Sequence, residues 1–81
     1  MTYKIIIRPK ALKFIQKQDR IQKKRILEAI YNLPNGDVKR MVGCKHIYRL
    51  RIGNYRILYE QQEEQYIILV TKADNRGQIY K

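Results

Sequence analysis

The stretch HIYRLRIGNYRILY, from His46 to Tyr59, predicts a β-hairpin that decides how the rest of the chain is arranged. Apolar and basic residues alternate up to Ile52, and a second alternating run begins at Tyr55. Between the two runs lie Gly53 and Asn54, and glycine at the first central position suits a two-residue type II′ turn. This turn fixes the pairing, with Ile52 opposite Tyr55 and the remaining pairs following outward.

The predicted register divides the hairpin into an apolar face and a basic face. Six side chains fall on the face that we assign to the core: Tyr48, Leu50, Ile52, Tyr55, Ile57 and Tyr59. On the other face Arg51 lies opposite Arg56, and Arg49 lies opposite Leu58. Directly opposed like charges destabilise a strand pair by roughly 0.2–1 kcal/mol. Because a face that only maintained solubility would interleave Glu with Arg, we interpret these arginines as a site for phosphate groups.

The charge of the whole chain supports a polyanionic partner. The 81 residues include 18 Lys plus Arg against 7 Asp plus Glu, which gives a net charge of +11. Between Val38 and Tyr59 there is no carboxylate, and the basic residues there that are candidates to bind a nucleic acid are Lys39, Arg40, Lys45, Arg49, Arg51 and Arg56. Nucleic acid is therefore the first candidate partner, ahead of a membrane surface and an acidic protein.

Length and composition exclude several classes of protein. A chain of 81 residues has room for one core, so we expect a single domain spanning residues 1–81. Cys44 is the only cysteine, which rules out an intrachain disulfide and favours a cytoplasmic protein. No apolar run approaches the roughly 20 residues that span a bilayer, so a membrane-spanning protein is not expected. No cofactor or metal site is expected either, and the single histidine, His46, excludes a two-histidine ribonuclease.

The order of predicted elements gives the fold class. The residue pattern predicts a strand at Tyr3–Arg8 and a helix at Pro9–Lys17, with Asp19 as the N-cap of a second helix. After the hairpin, Tyr66–Val70 reads as another strand, and residues 71–81 as a turn and a short tail. The β-α-α-β-β-β order predicts an α+β fold, in which two N-terminal helices pack on one face of a small, mostly antiparallel, twisted four-stranded sheet.

The segments YRLRIGNYRILY and NRGQIY, in this order, resemble the RelE/ParE superfamily of bacterial and archaeal toxins. The resemblance covers essentially the whole chain, from the strand-helix-helix start to the terminal R-x-x-x-Y. It implies a toxin of a type II toxin–antitoxin system. The RelE branch cleaves mRNA in the decoding site of the ribosome, whereas the ParE branch inhibits DNA gyrase by protein–protein contact.

Resemblance to the RelE branch also assigns a candidate catalytic set. By position this set is Arg49, Arg51, Arg56, Arg76 and Tyr80. We therefore expect an mRNA endoribonuclease that acts in the ribosomal A site, contacts rRNA through its basic surface and inhibits translation. The partners implied are mRNA on the ribosome and an acidic, partly disordered antitoxin. A ParE-like gyrase inhibitor and a catalytically inert RNA-binding domain remain as alternatives.

The candidate residues suit metal-independent cleavage, in which the RNA 2′-OH attacks the adjacent phosphate. Arginine is effectively never deprotonated, so Arg49, Arg51 and Arg56 would orient the phosphate and stabilise its developing charge. Tyr80 is the candidate for proton transfer, with stacking on a base or packing on the sheet as alternatives. Arg76 would clamp a phosphate or stabilise the leaving group, or else pair with Asp74.

Overall fold

The computed structural model describes residues 3–43 and 45–75 of the chain. The elements are β1 (Lys4–Ile7), α1 (Pro9–Gln16), α2 (Arg20–Tyr31), β2 (Val38–Arg40), β3 (Ile47–Ile52), β4 (Tyr55–Gln62), a 3-10 helix (Glu63–Gln65) and β5 (Ile67–Asn75). The strands form one sheet in the order β1-β5-β4-β3-β2. β1 is parallel to β5, and the other neighbouring pairs are antiparallel. The predicted α+β class with a mostly antiparallel sheet is confirmed.

The central hairpin has the predicted register. Ile52 pairs with Tyr55, Arg51 with Arg56, and the pairing continues outward to Ile47. Gly53 has φ +57°, and the turn's other central residue has no positive φ, which is the type II′ pattern. The apolar side of this hairpin is buried, since Leu50, Ile52, Ile57 and Tyr59 are at most 7% exposed.

The sheet has five strands, whereas we predicted four. The strand that the prediction omitted is β2. This strand has three residues and is antiparallel to β3. Val38 pairs with Leu50, Lys39 with Arg49, and Arg40 with Tyr48. Two of its three residues are basic, and the left-handed residues Gly36 (φ +116°) and Gly43 (φ +81°) flank it closely. A segment this short offers no hydrophobic alternation to read, so only its pairing with β3 defines it as a strand.

The last described strand is also longer than expected. We predicted that it ends at Val70, but β5 continues to Asn75 through residues assigned to a turn and tail. Tyr59 pairs with Val70 and Leu58 with Lys72, so Thr71 is an extra residue on β5. This bulge shifts the alternation by one residue, which conceals the second half of the strand from a period-two reading.

The two helices form as predicted and cover one face of the sheet. α1 begins with Pro9 at its first turn and buries Ile15, and α2 buries Ile26 and Ile30. The Asp19 side chain accepts a hydrogen bond from the Gln22 N–H at 2.9 Å, which confirms the predicted N-cap. Even α2, at 12 residues, is too short to cross a bilayer, as is every other helix in the described ranges.

Tyr59 is a fully buried core residue with an unusual hydroxyl group. Its ring is 0% exposed and stacks on Tyr48, with the ring centroids 5.5 Å apart and the planes 15° apart. Its hydroxyl has no hydrogen-bond partner among the residues that the structure describes. Burial, with a smaller effect of Tyr48, raises the pKa of Tyr59 to about 12. The ring therefore stabilises the core, while its hydroxyl opposes burial.

The substitution Tyr59→Phe is expected to raise the free energy of unfolding at pH 7 by about 1 kcal/mol, because it removes an unpaired buried hydroxyl. It should also change the alkaline transition. In the wild type the unfolded chain loses this proton near pH 10 and the folded chain near pH 12. The stabilising contribution of the raised pKa is therefore complete below pH 10 and lost as the pH rises to 12.

Urea unfolding followed by circular dichroism from pH 7 to 12 measures both effects, with Tyr66→Phe at an exposed ring as the control. Between pH 10 and pH 12, Tyr59→Phe should make the decrease of the unfolding free energy with pH less steep, by up to about 1.4 kcal/mol per pH unit. A clear loss of stability at pH 7, with an unchanged alkaline slope, would contradict this account of Tyr59.

Candidate anion-binding face

The candidate site lies on the open face of the sheet, which we define as the side opposite α1 and α2. Side chains alternate between the two sides along each strand. Because Leu50 and Ile57 are buried beneath the helices, Arg49, Arg51 and Arg56 lie on the open face. The structure thus brings these three predicted arginines together on neighbouring strands.

Two cross-strand rows of side chains form the cationic part of the open face. The arginine row consists of Arg51 on β3, Arg56 on β4 and Asp74 on β5. The lysine row consists of Lys39 on β2, Arg49 on β3, Leu58 on β4 and Lys72 on β5. Five cations and one carboxylate therefore lie in two adjacent rows, so the field of this face favours an anion.

Asp74 is a member of the candidate site that sequence reasoning did not place there. Its Oδ1 and Oδ2 accept hydrogen bonds from Arg56 Nε at 3.3 Å and Nη2 at 3.0 Å. Lys72 Nζ lies 3.8 Å from the same carboxylate. Sequence analysis considered Asp74 only as a partner for Arg76, because residues 71–75 were assigned to a turn and tail. The continuation of β5 supplies a carboxylate to the arginine row.

The Arg56–Asp74 ion pair modifies the predicted site without removing it. Its side chains are 31% and 27% exposed, and ion pairs that water reaches contribute at most about 1 kcal/mol to stability. A phosphate group approaching Arg56 therefore competes with Asp74 for a guanidinium that is already paired. Arg56 would therefore be available to an anion only after that anion displaced Asp74.

Arg49 and Arg51 lack such a competitor. Neither has an ion-pair partner among residues 3–43 and 45–75. The Nε atom of Arg49 is buried and makes no hydrogen bond within the same ranges. A buried donor without an acceptor is unfavourable, so an anion that accepted from it would remove that penalty. These two arginines form the available part of the site.

The other predicted RNA-binding residues do not all share this face. Lys39 lies opposite Arg49 in the lysine row, but Arg40 pairs with Tyr48 and belongs to the other side of β2. Together with Lys45, Arg40 lines a separate cleft beside the β2–β3 loop. The predicted residues Arg76 and Tyr80 lie outside the described part of the chain, and their roles stay predictions.

A family model described as the ParE toxin of type II toxin–antitoxin systems matches residues 5–80. The chain belongs to this family. It is a member of the RelE/ParE superfamily that the hairpin and the terminal motif indicated, and hence a toxin of a type II toxin–antitoxin system.

Solved structures place this ParE-family chain close to RelE toxins in fold. A chain of the archaeal RelE–RelB complex from Pyrococcus horikoshii is 29% identical with a TM-score of 0.78, covering 95% of this chain and 98% of that one. A chain of the RelB–RelE complex from Methanococcus jannaschii is 26% identical with a TM-score of 0.72, covering 93% and 94%. The isolated E. coli RelE toxin is 20% identical, with a TM-score of 0.70 over 98% of this chain and 92% of that one, and shows the fold alone.

A curated relative, the RelE1 protein of Methanocaldococcus jannaschii, is 38% identical over 45 residues. The aligned segment is 56% of this chain, and it spans half the length of that relative. The matching family model, in contrast, covers nearly the whole chain. Membership of the family therefore stands on the model match and the fold.

The role of Asp74 leads to a prediction about anion affinity. Asp74→Asn removes the carboxylate that holds Arg56, so the affinity for a 2′-O-methylated single-stranded RNA should rise about 5- to 10-fold, the equivalent of roughly 1 kcal/mol. Fluorescence anisotropy across a salt series measures this change. The slope of log affinity against log salt should steepen by about 0.7, one additional phosphate contact.

The matched control is Glu28→Gln, which makes the same change in net charge on the exposed side of α2. Equal affinity gains in both variants would show that net charge alone is responsible, and no gain in Asp74→Asn would contradict the competition between Asp74 and phosphate.

Proposed function

We propose that this toxin is an endoribonuclease that cleaves mRNA in the ribosomal A site and so inhibits translation. The observation that supports the proposal most strongly is the pair formed by Arg49 and Arg51, which lie on the open face without carboxylate partners among the described residues. Fixed guanidinium groups suit bidentate recognition of phosphate. Arg56 adds a third guanidinium once phosphate displaces Asp74.

The chemistry that fits these residues is attack by the RNA's own 2′-OH. The 2′-oxygen forms a bond to phosphorus as the bond to the 5′-oxygen breaks, which leaves a cyclic phosphate and a 5′-hydroxyl. Arg49 and Arg51 would stabilise the negative charge that grows on the phosphate oxygens. We propose that Tyr80 transfers the protons, accepting the one that leaves the 2′-OH and supplying the one that reaches the 5′-oxygen. Arg76 would stabilise the leaving group.

The proposed dependence on the ribosome is supported by how few proton-transfer groups the arginine and lysine rows carry. Arginine is a poor base at any physiological pH, and the two open rows contain one carboxylate, which is engaged by Arg56. Holding the 2′-oxygen in line with the breaking bond supplies much of the rate enhancement in such a reaction. We propose that the ribosome imposes this geometry while the toxin supplies charge.

A second candidate function is inhibition of DNA gyrase by protein–protein contact. It is favoured by the family model, whose description names ParE. A gyrase inhibitor has no need for uncompensated arginines grouped on one face, which is why we rank it second. Loss of gyrase supercoiling in the presence of intact RNA would support this candidate, and RNA binding without either activity would indicate an inert RNA-binding domain.

Cleavage of mRNA on programmed ribosomes tests the leading proposal. With a defined message, the wild type should produce new RNA ends at A-site codons. Arg51→Ala should lower the cleavage rate about 100-fold or more, because it removes a guanidinium that stabilises the transition state. Arg76→Ala and Tyr80→Phe test the C-terminal residues in the same assay.

Lys13→Ala, at an exposed position on α1, is the control and should cleave at the wild-type rate. An Arg51→Ala variant as active as Lys13→Ala would exclude the open face as the site of cleavage.

We also propose a cognate antitoxin. The P. horikoshii and M. jannaschii relatives were crystallised as complexes with RelB. The cationic open face and the free edges at β1 and β2 suit an acidic, partly disordered chain that folds on binding and keeps RNA from the arginines.

Coexpression with the protein encoded beside this toxin should give one peak in gel filtration, earlier than the toxin alone. That complex should bind RNA at least 10-fold more weakly than the free toxin. Separate elution of the two proteins would contradict the pairing.

A further inference from the structure

A second concave surface lies at the other end of β3, away from the hairpin turn. It is a cleft of about 910 Å³ beside the loop that joins β2 to β3. Its lining includes Arg40, Lys45, His46 and Tyr48, together with Glu63 at the start of the 3-10 helix. The cleft is separate from the open face, because Arg40 and Tyr48 pair on the opposite side of the sheet.

An aromatic ring is held in a fixed orientation in this cleft. Tyr48 is partly exposed and lines the cleft, while its ring stacks on the fully buried Tyr59. Tyr59 cannot shift without disturbing the core, so it fixes the plane of the Tyr48 ring. A rigid, partly exposed aromatic ring of this kind is a platform on which a nucleobase can stack.

Two cations lie near this ring, and Glu63 is the one acidic residue among the described residues that line the cleft. Arg40 is the cross-strand neighbour of Tyr48, and Lys45 lies in the adjoining loop. Neither has an ion-pair partner within the part of the chain that the structure describes. A stacking ring beside unpaired cations matches the two halves of a nucleotide, its flat base and its phosphate.

We propose that this cleft binds one nucleotide of single-stranded RNA next to the segment held on the open face, with its base on Tyr48 and its phosphate on Arg40 and Lys45. The proposal deepens the function proposed above and rests on it. Lys39 and Arg40 are consecutive residues of the edge strand β2 and lie on opposite sides of the sheet. An RNA strand that rounds this edge therefore passes from the lysine row directly into the cleft.

The two surfaces lie close together along β3, on opposite sides of the sheet. Tyr48 and Arg51 are three residues apart on β3, a separation of about 10 Å along the strand. The base beside the scissile phosphate is thus expected to lie over the arginine row, while a nearby base occupies the cleft. Tyr48 was assigned to the core from its place in the hairpin alternation, and the structure leaves it half-buried in the cleft lining, as the proposed second role requires.

Photocrosslinking tests the position of the base. A 2′-O-methylated RNA carrying 5-iodouridine at successive positions would be bound to the full chain, irradiated and digested with trypsin. Tyr48 falls in the peptide of residues 46–49 and Tyr55 in that of residues 52–56, so mass spectrometry distinguishes the two tyrosines. The expected result is an adduct on Tyr48 from one RNA position. Adducts confined to other residues would overturn the proposal.

Affinity measurements separate the cleft from the open face. Arg40→Ala and Lys45→Ala should each weaken binding of the same RNA about 5-fold and lower the salt slope by about 0.7, while Lys13→Ala leaves both unchanged. Tyr48→Phe should bind as the wild type and Tyr48→Leu at least 5-fold more weakly, with circular dichroism confirming that both fold.

If Arg40→Ala and Lys45→Ala bind normally while Arg51→Ala does not, the cleft proposal fails and the open-face proposal stands. If Tyr48 crosslinks but ribosomes yield no cleavage, the nuclease proposal fails instead.

Discussion

The register between β3 and β4 is the constraint on which the other features of this toxin depend. Burial of alternate apolar residues, such as Leu50 and Ile57, stabilises one register, because a slip of one residue would expose them to water. The same register places Arg51 directly opposite Arg56. The free energy gained by burying these apolar side chains exceeds the cost of the repulsion between the exposed Arg51 and the half-buried Arg56. The core thus determines the position of the charges.

Asp74 reduces the repulsion between the opposed arginines when no anion is bound to the open face. Without a ligand, Asp74 neutralises the charge of Arg56, and Arg51 is left as the arginine of this pair that an anion would stabilise. A bound phosphate would offer both arginines a stronger acceptor than water and would return Asp74 to solvent. If the proposed function holds, this arrangement offsets part of the repulsion in the folded protein and leaves Arg51 available to phosphate. A polyanionic substrate and an acidic antitoxin would compete for the same charges.

Sequence reasoning recovered the hairpin, the helices and the arginine cluster because each depends on local signals: a Gly53-Asn54 turn, an Asp19 cap and strict alternation. It missed features that depend on distant partners. β2 is defined only by pairing with β3, and the second half of β5 is hidden by the bulge at Thr71. The ion pair between Arg56 and Asp74 joins residues 18 positions apart and follows directly from that missed half-strand. The catalytic assignments of Arg76 and Tyr80 still rest on resemblance.

The most direct test of the account compares the unfolding free energy of the wild type and Arg51→Gln at low ionic strength, with and without tripolyphosphate. If folding holds Arg51 and Arg56 together against their repulsion, the variant will be the more stable by about 0.2–1 kcal/mol without the anion. Tripolyphosphate will stabilise the wild type more and reverse this order. A wild type that is already the more stable without anion, or equal stabilisation of both proteins, would contradict the account.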